Sequence, residues 1–198
     1  MISVILPIRN EEHFIDKTLD SILYQSDGNV EIIISNGMST DGTREIIQKY
    51  QSESPSIQLI DNPEEIVSTG FNRALSVAKG EIIIRVDGHS EIDKAYLQNC
   101  ISIMAETGAD CVGGSTTHVA NGITGKAVVL TQSSIFGVGG VSFRKNIKNG
   151  HYVDTLAFGA YKRKVFDEIG GYDEELVRNQ DDEFNFRLIQ NGGKIWLD

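Results

Sequence analysis

A carboxylate and an imidazole stand two residues apart directly after an apolar run. The run EIIIRVD, residues 81 to 87, ends in Asp87, and Gly88 and His89 follow it. Asp87 and His89 can point to the same side of a tight turn, while Gly88 admits a close ligand. Imidazole binds Mn²⁺ but suits Mg²⁺ poorly, because Mg²⁺ prefers hard oxygen ligands. The triplet therefore predicts a divalent-cation site at Asp87 and His89, with Mn²⁺ favoured over Mg²⁺.

This triplet also has a purely structural interpretation. In it, Asp87 caps a turn and His89 is simply solvated. That interpretation would be favoured if the chain held no other motif.

A second group of candidate catalytic residues is a run of carboxylates, Asp181, Asp182 and Glu183. A hydroxyl that attacks an electrophilic carbon must lose its proton, so such a reaction needs a base within hydrogen-bond reach. Clustered carboxylates disfavour one another's charged form, which suits a base that works near neutral pH. The alternative is an acid-rich helix start, which the helix dipole stabilises by about 0.3 to 1 kcal/mol for each acid.

The composition limits the possible ligands. The chain has 198 residues and a formal net charge of -10, which argues against binding nucleic acid through a basic surface. A phosphorylated ligand would need local positive charge, supplied by a metal ion or a few placed basic residues. The two cysteines, Cys100 and Cys111, have no CxxC spacing and suggest neither a disulfide framework nor a zinc site.

Apolar strands and helical patterns alternate through the first half of the chain. This βαβαβαβ order predicts a mostly parallel sheet with helices on both faces, which binds ligands at the carboxyl ends of its strands. Pro7, Asn36 and Asp87 lie at such ends. The predicted strands are Ile2–Ile8, Val30–Ser35, Ile57–Asp61 and residues 81–87, and the predicted helices are Glu11–Gln25, one starting near Thr43, and Gly70–Ala78.

Beyond residue 110 the pattern is less regular. GADCVGGSTTHV predicts another strand, residues 120 to 152 predict Gly-rich loops that line a site, and a helix is predicted from about Asp181 to Gln190. The sequence ends with GGKIWLD on a predicted strand, which favours a fragment of a longer protein. No basic leader and no run of about 18 apolar residues occurs, which predicts a cytoplasmic location for these residues.

Four motifs in this order resemble family 2 glycosyltransferases of the GT-A fold: SVILPIRNEE, SNGMSTDGT, KGEIIIRVDGH and GGYDEELVRNQDDEFNFRL. Within the family, FGVGGVSFR, YVDTLAFGAYKRKVFDEIGGYDEEL and RNQDDEFNFRL are most similar to succinoglycan-type exopolysaccharide glucosyltransferases. The resemblance implies an α/β, Rossmann-like GT-A fold, with a mostly parallel central sheet flanked by helices in an αβα sandwich. It also implies one catalytic domain over residues 1–198, truncated at its C-terminus, with a nucleotide-sugar-binding half at 1–110 and an acceptor-binding half at 111–198.

The activity implied by the resemblance is that of an inverting hexosyltransferase. It would move glucose or a related hexose from a nucleotide-diphosphate sugar, with UDP favoured, to a saccharide acceptor in exopolysaccharide or cell-surface polysaccharide synthesis. The acceptor implied is lipid-linked and presented at the inner face of the cell membrane, with membrane association through a missing C-terminal region. The alternative is a non-catalytic nucleotide-sugar-binding or regulatory module with the same fold.

The resemblance also implies binding residues. Arg9 stands where an aromatic residue often stacks on the base, although a guanidinium plane can stack as well. Asn36 stands where the family usually has Asp, and its carbonyl can accept the same hydrogen bond from uracil. The implied nucleotide-sugar-binding residues are Pro7, Arg9, Glu11, Asn36, Asn72 and Asp87. Asn36 is alternatively a turn former. Asn72 and Arg73 alternatively cap a helix or contribute surface charge.

The implied catalytic residues lie in the acidic run. In register with the family's Glu-Asp pair, Gln180 takes the Glu position and Asp181 the Asp position. Asp181 is therefore expected to be the general base, with Asp182 as the alternative. One base without a paired nucleophile implies a single in-line displacement with inversion, and a cation bound to the diphosphate would stabilise the leaving group.

Overall fold

The computed structural model describes residues 1–117 and 150–198. The described strands are β1 Ile2–Ile8, β2 Val30–Asn36, β3 Ile57–Asp61, β4 Ile82–Arg85, β5 Cys111–Gly113, β6 His151–Val153, β7 Ala160–Lys162 and β8 Ile195–Leu197. The described helices are α1 Ile15–Leu23, α2 Thr43–Glu53, α3 Val67–Val77, α4 Tyr96–Thr107, α5 Arg163–Ile169 and α6 Gln180–Gln190. The loops predicted for residues 120 to 152 lie almost entirely outside the described residues.

All the described strands form one sheet in the order β3-β2-β1-β4-β7-β5-β8-β6. The strands from β3 to β4 in this order are mutually parallel, whereas β7 runs antiparallel to both β4 and β5. The register aligns Ile8, Asn36 and Asp61, so that β1, β2 and β3 end at the same edge. The predicted mostly parallel α/β sheet is confirmed, and the chain that follows β4 reaches this same edge.

Helices cover both faces of the sheet because successive strand residues point to opposite faces. On one face, α1, α2 and α4 pack against Val4 and Leu6 of β1. On the other, α3, α5 and α6 pack against Ile5. The second face is rich in aromatic contacts, including Phe166 stacked on Phe184 with ring centroids 4.9 Å apart. These two apolar layers hold the αβα sandwich together through burial of apolar surface.

Two helices begin at other residues than the sequence pattern predicts. The first was expected to span Glu11–Gln25, but α1 begins at Ile15, because residues 12–14 form a turn instead. The third was expected at Gly70–Ala78, but α3 begins at Val67. Asn72 therefore lies within a helix and does not open it. No helix within the described ranges is long and apolar enough to cross a membrane.

Candidate active site

A cleft lies at the carboxyl ends of β1 and β4. Polar side chains from three turns converge on it, the turns that follow β1, β3 and β4. The lining residues are Pro7, Ile8, Arg9, Glu11, Asn62, Glu65, Ile66, Val67, Asp87, Gly88 and His89. The fold thus brings five predicted site residues to one cleft, namely Pro7, Arg9, Glu11, Asp87 and His89. Asn36, Asn72 and the acids of α6 are not among the lining residues.

His89 is held by Glu11 across the cleft. Its Nδ1 lies 2.8 Å from the Glu11 Oε1 atom, and the imidazole is half exposed while the carboxylate is largely buried. The hydrogen bond to Glu11 raises the pKa of His89, against partial burial, which lowers it. Because Nδ1 is engaged, Nε2 is the ring nitrogen that can face a ligand, an arrangement typical of metal-binding histidines with a supporting carboxylate.

Asp87 is held by the strand residue two positions before it. Nε and Nη2 of Arg85 both donate to Oδ1 of Asp87, at 3.2 and 3.0 Å. Arg85 ends β4, and the backbone nitrogen of Val86 continues the pairing by donating to the Ile5 carbonyl. Side chains two residues apart on such an extended segment project to the same side, which explains why Arg85 and Asp87 meet. The second oxygen, Oδ2, has no hydrogen bond from any residue that the structure describes, so it remains available to a cation or a ligand.

Asp87 and His89 together fit a divalent cation. One carboxylate oxygen and one imidazole nitrogen form a donor set that suits Mn²⁺. No group of three or more metal-binding side chains occurs within residues 1–117 and 150–198. The protein would therefore supply two ligands, and the remaining positions would belong to diphosphate oxygens and water, as is common where a cation binds together with a phosphorylated substrate.

Gly88 is required by the protein itself. A Cβ atom at this position would lie 2.7 Å from Cγ of Glu11 and 2.8 Å from Cγ2 of Ile8. The Gly88 carbonyl also accepts a hydrogen bond of 2.9 Å from the hydroxyl of Thr18. Gly88 was expected to admit a close ligand, and in the structure it also admits the close approach of Glu11, the partner of His89.

Arg9 is paired across the mouth of the cleft. Its Nη1 lies 2.6 Å from Oε2 of Glu65, and both side chains are about two-fifths exposed. Glu65 has a left-handed backbone with φ of 62°, which directs the turn after β3 toward the cleft. The guanidinium thus lies at the pocket edge, where its plane can cover a bound base. Glu65 had no motif around it in the sequence.

Asn36 is fully buried beneath the cleft. Its Oδ1 accepts hydrogen bonds from the backbone nitrogen and the hydroxyl of Ser39, at 3.1 and 2.6 Å. These bonds fit the turn-forming alternative for Asn36, and they occupy the oxygen that was expected to bind uracil. The Nδ2 atom is buried with no hydrogen-bond partner within the described ranges.

Asn72 is engaged elsewhere in the fold. Its Nδ2 donates to the carbonyl of Tyr172 and to Oε1 of Glu174, at 2.8 and 2.9 Å, and its Oδ1 accepts from the Tyr172 backbone nitrogen at 2.9 Å. These bonds tie the middle of α3 to the segment before α6. The structure therefore does not bring Asn72 to the cleft.

The three acids at the start of α6 have different partners. Asp182 accepts a hydrogen bond of 2.8 Å from Thr155, and Glu183 pairs with Arg187 at 2.7 Å. Asp181 is half buried and has no hydrogen bond or ion pair with the described residues. Of the three, Asp181 is thus the carboxylate whose oxygens are open to an incoming hydroxyl.

This architecture defines the protein as a GT-A-type α/β domain, with a ligand cleft at the carboxyl edge of a mostly parallel sheet. The family model for "Glycosyl transferase family 2" matches residues 3–170. The chain belongs to this family, so the predicted family is confirmed, and the first three of the four motifs lie within the matched residues.

Two curated relatives align with nearly the whole chain. One is "Succinoglycan biosynthesis protein ExoA" of Rhizobium meliloti, 31% identical over 197 residues, covering 98% of this chain and 59% of the relative. The other is a Methanococcus voltae protein named "Dolichyl N-acetyl-alpha-D-glucosaminyl phosphate 3-beta-D-2,3-diacetamido-2,3-dideoxy-beta-D-glucuronosyltransferase", 29% identical, covering 98% of this chain and 63% of the relative. The chain spans about three-fifths of the length of these curated relatives.

Solved structures of low sequence identity share the fold. S. aureus TarS 1-349, solved in complex with UDP-GlcNAc, superposes with a TM-score of 0.75 at 21% identity, covering 100% of this chain and 55% of TarS. The mannosyltransferase PcManGT of Pyrobaculum calidifontis, solved with GDP-Man and Mn²⁺, has a TM-score of 0.73 at 19% identity, covering 100% of this chain and 56% of that protein. The predicted GT-A fold is confirmed.

Proposed function

We propose that this protein is an inverting glycosyltransferase that moves a hexose, glucose or a close relative, from a nucleotide-diphosphate sugar to a saccharide hydroxyl. The observation that carries the proposal is the pairing of two features. Within the described residues, Oδ2 of Asp87 and Nε2 of His89 have no hydrogen-bond partner at the cleft, and the Asp181 carboxylate at the start of α6 has no partner either. Family membership supports the activity, and the names of the curated relatives support polysaccharide synthesis.

The donor binds in the half formed by residues 1–110. The Arg9 guanidinium and Pro7 border the place of the base, and Asp87 lies where the diphosphate and sugar would meet. UDP is the favoured nucleotide, and the UDP-GlcNAc complex of TarS supports this choice by fold alone. The acceptor then approaches from the half formed by residues 111–198, which contributes α6 and Asp181.

A divalent cation, with Mn²⁺ favoured, would be held by Oδ2 of Asp87 and Nε2 of His89. When bound, it supplies positive charge to the diphosphate leaving group. The Mn²⁺ in the PcManGT complex supports the use of a divalent cation by a protein of this fold. Glu11 keeps the His89 ring oriented through Nδ1, and the local positive charge offsets the overall charge of -10 that repels anionic ligands.

Asp181 accepts the acceptor proton. As the acceptor oxygen forms its bond to the anomeric carbon, the bond from that carbon to the diphosphate oxygen breaks, and its electron pair leaves with the nucleotide. The hydroxyl proton passes to a carboxylate oxygen of Asp181. Attack from the face opposite the leaving group inverts the configuration, so an α-linked donor gives a β-linkage.

The proposed acceptor is a lipid-linked saccharide at the inner face of the cell membrane. The printed name of the Methanococcus voltae relative describes transfer to a dolichyl-phosphate-linked sugar, which supports an acceptor of this kind. Membrane association would then come from the lipid or from further parts of a longer protein. These details of acceptor and location rest on relatives alone.

A non-catalytic nucleotide-sugar-binding module is the second candidate. The observation that favours it is the departure of Arg9, Asn36 and Gln180 from the family pattern, together with the engaged Oδ1 of Asn36. Binding of UDP-sugars without turnover, under any metal and with acceptors present, would support the module.

The test compares Asp181→Asn with Asp182→Asn in donor binding and in sugar transfer. Loss of a general base costs roughly 10² to 10⁴ in rate, so we expect Asp181→Asn to abolish measurable transfer. UDP affinity in Mn²⁺, measured by calorimetry, should stay within about twofold, because Asp181 does not line the cleft. Asp182→Asn, whose carboxylate is tied to Thr155, should keep most of its activity. Transfer by Asp181→Asn at the wild-type rate would refute the assignment.

A further inference from the structure

Arg85, the last residue of β4, carries a positive charge into the interior beneath the cleft. Its side chain is only 7% exposed. The guanidinium carbon lies 5.6 Å from the ring centre of Phe158 and 5.9 Å from that of Tyr172. Arginine is almost never buried to this extent unless it is paired. The residues that contact Arg85 should therefore explain why its charge is buried.

The paired donors of Arg85 converge on a single atom. Both Nε and Nη2 bond Oδ1 of Asp87, which leaves Oδ2 of the same carboxylate without a partner from the described residues. Two charge-assisted donors on Oδ1 hold that oxygen in place more firmly than one bond could, and the covalent geometry of the carboxylate then limits where Oδ2 can point. The free oxygen of Asp87 thus has a defined orientation.

The contacts of Arg85 differ from those of an arginine that only supports the fold. Arg163 has this structural pattern, because its Nε and Nη2 donate to the main-chain carbonyls of Gly80 and Ala78. In Arg85, by contrast, Nη1 is buried without a hydrogen-bond partner among the described residues. The buried Nη1 atom of Arg85 thus has no hydrogen-bond partner among the described residues, while Nε and Nη2 both bind Asp87, which is the main partner of the side chain.

We propose that Arg85 is the positioning residue of the donor site. It acts through Asp87, by holding Oδ1 so that Oδ2 faces the cation and the donor diphosphate. This inference rests on the proposed function, because it requires a donor bound at Asp87. The role needs the two-donor geometry of arginine, so a lysine that keeps the charge cannot replace it fully.

The first measurement is the calorimetric affinity of Arg85→Lys for UDP in MnCl₂. We expect Arg85→Lys to bind UDP about tenfold more weakly than wild-type protein does. If Oδ2 of Asp87 is not held in position, its contacts with the cation and the diphosphate become weaker. The KM for the donor should rise, and the KM for the acceptor should stay unchanged. The matched control is Arg163→Lys, which should lower the melting temperature and leave UDP affinity unchanged.

The second measurement is a double-mutant cycle, which separates positioning from a structural role. In the Asp87→Asn background, Arg85→Lys should weaken UDP binding by less than about twofold, because the carboxylate through which it acts is gone. An equal loss in both backgrounds would overturn the proposal. If Arg85→Lys does not fold, Arg85→Gln takes its place in the same cycle.

Failure of this inference is distinguishable from failure of the proposed function. If wild-type protein binds UDP with Mn²⁺ and transfers sugar, but Arg85→Lys binds UDP as wild type does, only the role of Arg85 is wrong. If wild-type protein binds neither UDP nor any other nucleoside diphosphate in MnCl₂, the proposed function itself is wrong.

Discussion

Residue 36 is Asn, whereas family 2 glycosyltransferases usually have Asp at this place. A variant of this residue can therefore test which nucleotide base the site prefers. The Asn36 oxygen is held by Ser39, while Nδ2 is buried and unpaired within the described residues. An unpaired Nδ2 can donate to a base acceptor, but it cannot accept from the imide N–H of uracil. With this hydrogen bonding, Asn36 does not favour the binding of uracil over that of cytosine.

Asn36→Asp should therefore shift the site toward UDP and away from CDP. The new carboxylate can keep both bonds from Ser39 on one oxygen and offer its second oxygen to the uracil imide. Cytosine presents an acceptor at that position, which a carboxylate repels. One hydrogen bond to a charged group contributes about 1.5 to 3 kcal/mol, so the ratio of UDP to CDP affinity should rise roughly tenfold or more. Competition calorimetry with both nucleotides in MnCl₂ measures this ratio.

The same variant should be less stable without ligand, because it buries a carboxylate that no base yet satisfies. Thermal unfolding with and without UDP checks this expectation, and UDP should restore more stability to Asn36→Asp than to wild type. An unchanged UDP to CDP ratio would show that residue 36 does not contact the base.

Residue types were more predictable than residue partners. The sequence pattern placed Asp87 and His89 after a strand, and both line the cleft. It assigned Glu11 to the nucleotide-sugar pocket, and Glu11 lines the cleft, but it did not predict that Glu11 would pair with His89. It gave Arg85 no role, because the burial of Arg85 beside Phe158 and Tyr172, which makes Asp87 its main polar partner, depends on residues that are distant in sequence. Partners depend on tertiary approach, which spacing along the chain does not encode.

At the scale of elements, Asp110 joins three neighbouring strands of the second half. Its carboxylate lies 3.2 Å from Nζ of Lys162 and 3.3 Å from Nζ of Lys164, and it accepts from the backbone nitrogen of Lys194 at 3.2 Å. Burial raises the pKa of Asp110, but these donors, Lys162 first, lower it more, so that the net shift is downward. The acid therefore stabilises the pairing of β5 with β7 and β8 in its charged form.

Asp110→Asn should reduce the free energy of unfolding by about 1 to 2 kcal/mol at pH 7, the size of a lost charged hydrogen bond. Because the folded pKa lies below the unfolded value near 3.8, the stabilisation is complete well above that value. This stabilisation is then lost as the pH falls through the unfolded-state pKa of Asp110 toward its folded-state pKa. Urea unfolding at pH 7 and near pH 3.5 measures the difference.

The matched control for this prediction is Glu91→Gln, at an exposed acid. Its effect should lie within about 0.5 kcal/mol at either pH. A destabilisation by Asp110→Asn that is equal at both pH values would contradict the electrostatic explanation and leave a packing effect.

Strands were predicted more accurately than the directions in which they pair. β1 and β3 have the predicted bounds. For β1 the reason is its continuous apolar run, which is typical of a strand buried on both faces. The antiparallel insertion of β7 between β4 and β5 was not predictable, because three residues, Ala160–Lys162, carry no period from which a direction could be inferred. Helix α3 begins before its predicted start, since Val67 and Ser68 precede the apolar stripe that defined it.

At the scale of the whole molecule, the proposed donor and acceptor halves share one sheet. β7 from the second half pairs with β4 from the first, and both apolar layers mix residues of the two halves. In one layer, Ile5 of β1 belongs to the same cluster as Phe184 of α6. Relative motion of the halves would break this common core, so the distance between Asp87 and Asp181 is set by a rigid framework.

This shared core predicts that residues 1–110 and 111–198 unfold together. The chain has one tryptophan, Trp196 in β8, whose ring packs against Tyr152 with centroids 4.9 Å apart and reports on the second half. Far-UV circular dichroism is dominated by helices, and α1 to α4 belong to the first half. We expect both signals to give one urea midpoint, because a single cooperative domain has no stable half. Tyr161→Phe, which removes the hydrogen bond of 2.8 Å to Asn185, should lower the urea midpoint by the same amount in both signals. Two separate midpoints would instead show that the halves are independent domains.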